Sequence, residues 1–172
     1  LVGHVQNTVW VKQDYFFVIK FNRPVANHVT LAKAFDTEKG DRIVATFEGI
    51  EQGEQLLMKI AMSTTSIDGA KKNLQAELPG WDFAAIKKSA HDEWNDYLKR
   101  VDIEGTEDQK KNYYTSFYHA LIQPNQIADV DGMYRNADDK IVKAGHGKFY
   151  STFSCWDTYR AAHPFYTIVM PD

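Results

Sequence analysis

The stretch QLLMKIAMSTTSIDGAKKNLQAELPG, residues 55–80, decides the fold class because its hydrophobic period changes partway along. Its first nine residues alternate as a half-buried strand does, with these apolar side chains on one face: Leu56, Met58, Ile60 and Met62. From Ser66 to Leu78 the pattern is helical, and Pro79-Gly80 is a strong stop signal. We therefore predict a strand followed by a helix, with the change near Ser63.

The residues before this stretch favour β-structure. The segments VQNTVWV (5–11) and YFFVIKF (15–21) are short, rich in β-branched and aromatic residues, and separated by a Lys-Gln-Asp turn. A second pair is predicted from RIVATFEG (42–49) and QLLMKIAMS (55–63). The N-terminal region is therefore predicted to be part of an antiparallel β-sandwich.

The residues after it predict helices. One begins after Asp82, its predicted N-cap, and has an apolar stripe at helical spacing: Phe83, Ile86, Ala90, Trp94, Tyr97 and Leu98. Another begins at Thr106, where TEDQ has the form of a capping box, and runs to Pro124. Strands first and helices after indicate an α+β arrangement or two consecutive domains, rather than a βαβ sheet.

The last part of the chain is predicted to be less regular. Residues 124–148 have the composition of a loop. A final helix is predicted from Trp156 to Ala162, limited by His163-Pro164 because a residue before proline avoids the helical region.

Composition excludes several classes of function. The 172 residues carry a net charge of −3 with scattered Lys and Arg, which argues against a nucleic-acid partner. No run approaches the roughly 20 apolar residues of a membrane span. A disulfide within the chain and a cysteine zinc site are excluded, because Cys155 is the single cysteine, and we interpret it as a small buried apolar residue.

The segment DVDGMYRNADD, residues 129–139, invites comparison with a calcium-binding loop. Gly132 follows Asp131 directly and no glutamate closes the segment, so a turn in which Asp and Gly serve the backbone is favoured. The six histidines show no ligand spacing, and no metal site is predicted.

The closing stretch FSCWDTYRAAHPFYTIVMPD, residues 153–172, concentrates aromatic and polar groups. Trp156 could stack on a pyranose ring, and Asp157 could accept hydrogen bonds from two vicinal hydroxyls. Arg160 and His163 could add donors from the following turns. A core tryptophan beside a capping or paired aspartate explains the same pattern, and spacing alone leaves both open.

Longer motifs narrow the choice. YSTFSCWDTYRAAHPFYTI (150–168) resembles the "YS.FS.WDT.RA.HP" signature of glycoside hydrolase family 92, the calcium-dependent exo-acting α-mannosidases. The segments at 101–125 and 129–135 are similar to the family's "gt.eqk..FYtaLYH.ll.P" and "DvdG.Yrg". The similarity spans most of residues 55–172 and, more weakly, the earlier strands.

This resemblance implies a domain plan. Residues 1–65 would form part of an N-terminal β-sandwich, residues 66–123 the linker helices, and residues 124–172 the beginning of a truncated (α/α)6 catalytic toroid. The chain would then be a fragment at both ends.

It also implies a function. Family members remove terminal α-mannose with inversion, so we expect an exo-α-mannosidase, secreted or periplasmic, that acts on α-1,2-linked mannose in mannose-rich glycans. The full-length enzyme would use calcium. The family's catalytic acid and base and its calcium ligands lie beyond the position of Asp172, so the isolated chain is predicted to be inactive.

The resemblance assigns the site residues one by one. Trp156 and Asp157 match the "WD" pair that lines the family's terminal mannose pocket, and Arg160 and His163 match signature positions that touch sugar or support the pocket. Two alternatives remain: a non-catalytic carbohydrate-binding β-sandwich module, and a fragment of another glycoside hydrolase or phosphorylase that joins a sandwich to a toroid.

Overall fold

The computed structural model describes residues 1–8, 12–32, 40–145, 148–151 and 154–171. Its elements in chain order are β1 (Val2–Asn7), β2 (Gln13–Phe21), β3 (Asn27–Leu31), β4 (Arg42–Thr46), β5 (Met58–Ser63), α1 (Ile67–Glu77), α2 (Phe83–Leu98), α3 (Glu107–Leu121), β6 (Met133–Arg135), β7 (Ile141–Lys143), α4 (Cys155–Thr158) and α5 (Ala162–Val169). Antiparallel strands come first and most helices after, so the predicted α+β class is confirmed. The chain divides into two compact units, Leu1–Trp81 and Asp82–Asp172.

The first unit is built on an antiparallel sheet in the order β1-β2-β5, with α1 packed on one face. Its buried core joins Val18 of β2 and Ala61 of β5 to Ala70 and Leu74 of α1. Ala61 and Ala70 are small, so the helix can lie close to the sheet. Strands β3 and β4 form a separate two-stranded sheet.

Helix α1 begins where the sequence predicts it. The side chain of Ser66, its N-cap, accepts a 3.0 Å hydrogen bond from the backbone N–H of Gly69. This bond satisfies one of the N–H groups that the first turn leaves without a helical partner. At the other end, Lys59 Nζ donates to the carbonyl oxygen of Leu78 at 2.6 Å and lies 4.3 Å from the centroid of the Trp81 ring.

The predicted pairing of the first two strands is confirmed, because β1 pairs with β2 in an antiparallel ladder. The predicted second pair is wrong. Strand β5 pairs with β2, setting Ala61 opposite Val18, and β4 pairs with the unpredicted β3. The predicted turn before residue 15 is also displaced, because Gln13 and Asp14 already belong to β2, and residues 9–11 of the predicted strand 5–11 lie outside the described residues. The hydrophobic pattern of a segment predicts that it is a strand. Which strand it pairs with depends on packing between segments that are distant in sequence.

The buried face of β5 is the reverse of the predicted one. Met58, Ile60 and Met62 are 56, 45 and 61% exposed, whereas Ala61 and Ser63 on the opposite face are buried. The physical reason is the position of α1, which covers the face with the smaller side chains. The alternation of apolar residues identified the strand, but it did not show which face of the strand the helix covers.

In the second unit, the predicted starts of α2 and α3 are confirmed. Asp82 Oδ1 accepts a 2.9 Å hydrogen bond from the N–H of Ala85. Thr106 and Gln109 form the reciprocal capping box, with bonds of 2.9 and 3.3 Å. The two helices pack through the Trp94 side chain of α2 and the Tyr118 side chain of α3, whose rings are 4.5 Å apart.

The segment predicted to be a loop contains a β-hairpin, β6-β7. Its turn is held by Asn136, whose Oδ1 accepts hydrogen bonds from the N–H groups of Asp138 and Lys140 at 3.1 and 2.9 Å. Strands of three residues are too short for a hydrophobic period to reveal them, so composition suggested a loop.

The predicted final helix is also wrong in its bounds. A single turn, α4, ends at Thr158, and α5 then begins at Ala162 with Pro164 as its third residue. Proline is tolerated in a first turn because the N–H it lacks would have no helical partner there. His163-Pro164 therefore lies at the start of a helix, whereas the end of a helix was predicted there.

Candidate functional site

The single turn α4 presents an unusually exposed tryptophan. Trp156 is 87% exposed, and its neighbour Asp157 is exposed as well. Cys155 is also exposed, so its interpretation as a buried apolar residue is wrong. Large aromatic side chains are mostly well buried in folded proteins. Trp156 therefore does not belong to the core of this chain, and a flat ring beside a carboxylate is available to a ligand.

The other two predicted residues lie just after α4. Arg160 is in the turn between α4 and α5, and its Nε donates a 2.7 Å hydrogen bond to the hydroxyl of Tyr159. The Arg160 guanidinium also lies 5.4 Å from the centre of the Tyr159 ring. Both side chains are exposed, so the pair forms a donor-bearing surface next to α4.

His163 contacts α4 directly. Its Nε2 lies 3.0 Å from Oγ1 of Thr158, the last residue of α4. Thr158 Oγ1 in turn donates to the carbonyl oxygen of Ser154 at 3.1 Å. The structure thus joins His163 to the turn that carries Trp156 and Asp157, and it joins Arg160 to Tyr159.

Helix α5 is anchored on α3 and on residues that follow α2 and α3. The hydroxyl of Tyr166 donates to the carbonyl oxygens of Ala120 at 2.6 Å and Gln123 at 3.2 Å. Arg100 Nη1 donates to the carbonyl oxygen of Val169 at 3.0 Å. Burial raises the pKa of Tyr166, because it disfavours the charged phenolate.

Helix α5 also packs through its aromatic face. The ring of Phe165 meets the buried ring of Phe117 on α3 edge to face, with centroids 5.1 Å apart. The residues that follow α4 in sequence are therefore held by α3 and by Arg100 in the turn after α2.

The segment leading toward α4 is held as well. Ser151 N–H donates to the carbonyl oxygen of Asn125 at 2.7 Å, and Ser151 Oγ accepts from the N–H of Asn125 at 3.0 Å. The ring of Phe149 stacks on Tyr134 of β6 at 3.8 Å. The residues of this motif at 152 and 153 lie outside the described residues.

The Asp-Gly turn at residues 129–132 serves the backbone, as predicted. Gly132 has a φ of 81° and its N–H donates to the carbonyl oxygen of Asp129 at 2.8 Å. Asp131 Oδ1 accepts from the N–H of Met133 at 3.2 Å. In the part of the chain that the structure describes, no three His, Cys, Asp or Glu side chains are grouped so as to hold a metal ion.

Among the described residues, no helix is both long and apolar enough to cross a bilayer.

Sequence reasoning missed Thr158 as a residue of this region. Its hydroxyl donates a hydrogen bond to the carbonyl oxygen of Ser154, four residues earlier, and contacts Nε2 of His163 in α5. The first contact is ordinary for a helical threonine, and the second depends on where α5 begins. The signal that could have pointed to Thr158 is its match to the T of "WDT" in the signature.

Comparison with solved structures supports the fold and its assignment. A family GH92 α-mannosidase from Bacteroides thetaiotaomicron is 27% identical, with a TM-score of 0.78 over 91% of this chain and 23% of that chain. A family GH92 inverting mannosidase from Bacteroides thetaiotaomicron VPI-5482 is also 27% identical, with a TM-score of 0.74 over 90% of this chain and 22% of that chain.

A third structure matches almost the whole chain. The GH92 family glycosyl hydrolase ccman5 is 20% identical, with a TM-score of 0.83 over 99% of this chain and 24% of that chain. At this identity the likeness shows the fold alone, and it places the N-terminal strands and following helices in the family's sandwich and the start of its helical domain.

The chain therefore spans less than a quarter of the length of these solved relatives. No curated protein matches it in sequence. The family model described as the glycosyl hydrolase family 92 catalytic domain matches residues 69–172, more than half of the chain. This match includes α4 with Trp156 and Asp157, and it confirms the resemblance seen in the motifs: the chain belongs to glycosyl hydrolase family 92.

Proposed function

We propose that this chain is part of an inverting exo-α-mannosidase that hydrolyses terminal α-mannose from mannose-rich glycans. The observation that carries the proposal is the exposed Trp156-Asp157 pair within the segment that matches the family's catalytic-domain model. Two solved relatives support it: one is described as an inverting mannosidase, and an α-mannosidase was solved in complex with mannoimidazole.

The role of this chain's residues in the proposal is to bind and orient the terminal sugar. Trp156 would cover the apolar face of the mannose ring. Asp157 would accept hydrogen bonds from neighbouring hydroxyls, and charge-assisted bonds of this kind are stronger and more directional than neutral ones. Arg160, exposed beside Tyr159, would donate to sugar oxygens at the edge of the pocket.

Inversion needs a carboxylic acid that protonates the leaving oxygen and a carboxylate that activates water on the opposite face of the sugar. We assign both groups to parts of the parent protein outside this chain, and we expect the isolated chain to be inactive. The preference for α-1,2 linkages and a secreted or periplasmic location belong to the same proposal.

Calcium also belongs to the parent protein in this proposal. The described residues contain no group of three His, Cys, Asp or Glu that fits a metal ion. We therefore assign the calcium ligands to residues outside this chain and derive no step of the reaction through the ion.

The test compares the isolated chain with the full parent protein on α-linked mannobioses of each linkage, with calcium and with chelator. We expect release of mannose by the parent only, fastest from the α-1,2 isomer, and NMR should show β-mannose as the first product. Asp157→Asn in the parent should lower kcat/KM at least about 100-fold, since a hydrogen bond to substrate would be lost in a desolvated site.

Asp138→Asn is the matched control, because Asp138 is an exposed aspartate in the β6-β7 turn. A folded parent that releases no mannose from any α-mannoside would overturn the proposal. If such a protein still binds mannosides, the non-catalytic carbohydrate-binding alternative replaces it.

A further inference from the structure

The turn that carries Trp156 and Asp157 cannot be stable by its own local interactions. Helix α4 has four residues, and its N-cap residue Ser154 makes no side-chain capping bond. A helix this short is strongly disfavoured in isolation, because nucleation restricts several backbone dihedrals for one hydrogen bond. Contacts from outside α4 must therefore hold it in place.

The contact between Thr158 and His163 fits this need. Thr158 Oγ1 has one proton, which it donates to the carbonyl oxygen of Ser154 at 3.1 Å. At the 3.0 Å contact the oxygen must then accept, and His163 Nε2 must donate. The neutral ring with its proton on Nε2 and the protonated ring both supply this N–H.

The residue that donates lies on a well-anchored helix. Helix α5 is tied to α3 by the hydrogen bond from Tyr166 to the carbonyl oxygen of Ala120. It is tied to the turn after α2 by the hydrogen bond from Arg100 to the carbonyl oxygen of Val169. His163 lies in the first turn of this helix. A hydrogen bond from His163 can therefore restrain α4 relative to the helices of the second unit.

We propose that the Thr158–His163 hydrogen bond is a latch that holds α4 and so sets the position of Trp156 and Asp157. His163 is in this view a positioning residue that acts through Thr158. The consequence for sugar binding rests on the proposed function, whereas the latch itself can be measured without any activity.

Four substitutions in the parent protein test the latch. Thr158→Val and His163→Leu each remove one partner with little change in volume, whereas Thr158→Ser and His163→Gln each keep a hydrogen-bonding group at the same reach. Thr115→Val is the matched control, because Thr115 is an exposed threonine on α3.

The first readout is hydrogen exchange of the peptide that contains α4. The N–H groups of Asp157 and Tyr159 bond to the carbonyl oxygens of Ser154 and Cys155, both at 3.1 Å. Loss of one hydrogen bond should speed their exchange about fivefold to tenfold in Thr158→Val and in His163→Leu, with α3 unchanged. The two conservative variants should restore slow exchange, and the double variant should exchange no faster than either single one.

The second readout is the division between KM and kcat. Trp156 and Asp157 would hold the sugar before and during the reaction, so releasing α4 should raise KM about tenfold and leave kcat within about threefold. His163→Gln and Thr158→Ser should restore KM. A purely structural role would reduce the amount of folded enzyme without changing its KM.

The exchange and KM measurements test the latch, the proposed function and the link between them separately. Unchanged exchange across α4 in both Thr158→Val and His163→Leu would overturn the latch. Faster exchange in a parent that has no activity on mannosides would support the latch and reject the proposed function. Faster exchange with an unchanged KM in an active parent would overturn the link between the latch and sugar binding.

Discussion

Tyr166 of α5 donates a 2.6 Å hydrogen bond to the carbonyl oxygen of Ala120, near the end of α3. The last carbonyls of a helix have no partner within it, so this bond satisfies one of them. It also fixes the helix that contains His163. Tyr166 therefore supports the candidate site indirectly, by holding the helix that contains His163.

The burial of the Tyr166 hydroxyl predicts a pH dependence of stability. Burial raises the pKa of Tyr166, so the folded chain holds the phenol proton more tightly than the unfolded chain, whose tyrosine pKa is about 10. The resulting stability is fully present below about pH 10 and is lost as pH rises through the folded-state pKa. We expect urea denaturation to show a fall in the free energy of unfolding above about pH 10.

Tyr166→Phe should flatten this alkaline fall and should cost about 1 kcal/mol at neutral pH through the lost hydrogen bond. Tyr150→Phe is the control, because Tyr150 is 48% exposed. Equal alkaline slopes in the wild-type chain and in Tyr166→Phe would contradict the prediction.

Lys59 should stabilise the first unit. Its Nζ donates to the carbonyl oxygens of Leu78 at 2.6 Å and Gly80 at 3.2 Å, and it lies over the Trp81 ring. Lys59→Met keeps the aliphatic stem and removes these interactions, so we expect a loss of about 1–3 kcal/mol in urea denaturation. Lys71→Met should leave the denaturation midpoint unchanged, because the pair that Lys71 forms with Asp68 on its own helix is exposed to solvent. Similar losses in both variants would argue against this stabilising role of Lys59.

The capping box should account for much of the local stability of α3. Thr106→Ala removes the acceptor for the N–H of Gln109, which should cost about 1 kcal/mol in the free energy of unfolding. Thr106→Ser should retain most of it. Thr115→Ala is the comparison, since alanine is the better helix former at that exposed position within α3. If Thr106→Ala is as stable as the wild type, the box does not contribute.

Trp156 should matter for activity and not for stability. At 87% exposure its removal opens no cavity, so Trp156→Ala should change the free energy of unfolding by less than about 0.5 kcal/mol. In the parent protein the same change should lower kcat/KM for an α-mannoside at least about tenfold, through the lost contact with the sugar. Trp94→Ala should destabilise the chain instead, because that ring packs on Tyr118. Loss of stability in Trp156→Ala would show that the residue is structural.

Features that depend on near neighbours could be predicted from the sequence. The starts of α1, α2 and α3 follow from Ser66, Asp82 and Thr106, each of which bonds to a backbone N–H three residues later. The motif around Trp156 and Asp157 was likewise enough to indicate the family that the comparisons show. Such signals survive in a linear sequence because all their partners lie close together in it.

Features that depend on distant partners could not be predicted. Strand β5 pairs with β2 across more than 40 positions, as Val18 opposite Ala61 shows, and α1 covers the face of β5 with the smaller side chains. The strand pairing and the position of α1 both depend on burying apolar surface across the whole unit. A short stretch of sequence does not contain the residues that decide this.

The candidate site divides in the same way. The sequence alone determined that Trp156, Asp157, Arg160 and His163 belong together in one motif. Only the tertiary structure decided that Trp156 faces solvent and that His163 bonds to Thr158. The reason is that Pro164 permits a new helix at this point, and its direction is set by bonds from Tyr166 and Arg100 to groups that lie many residues away.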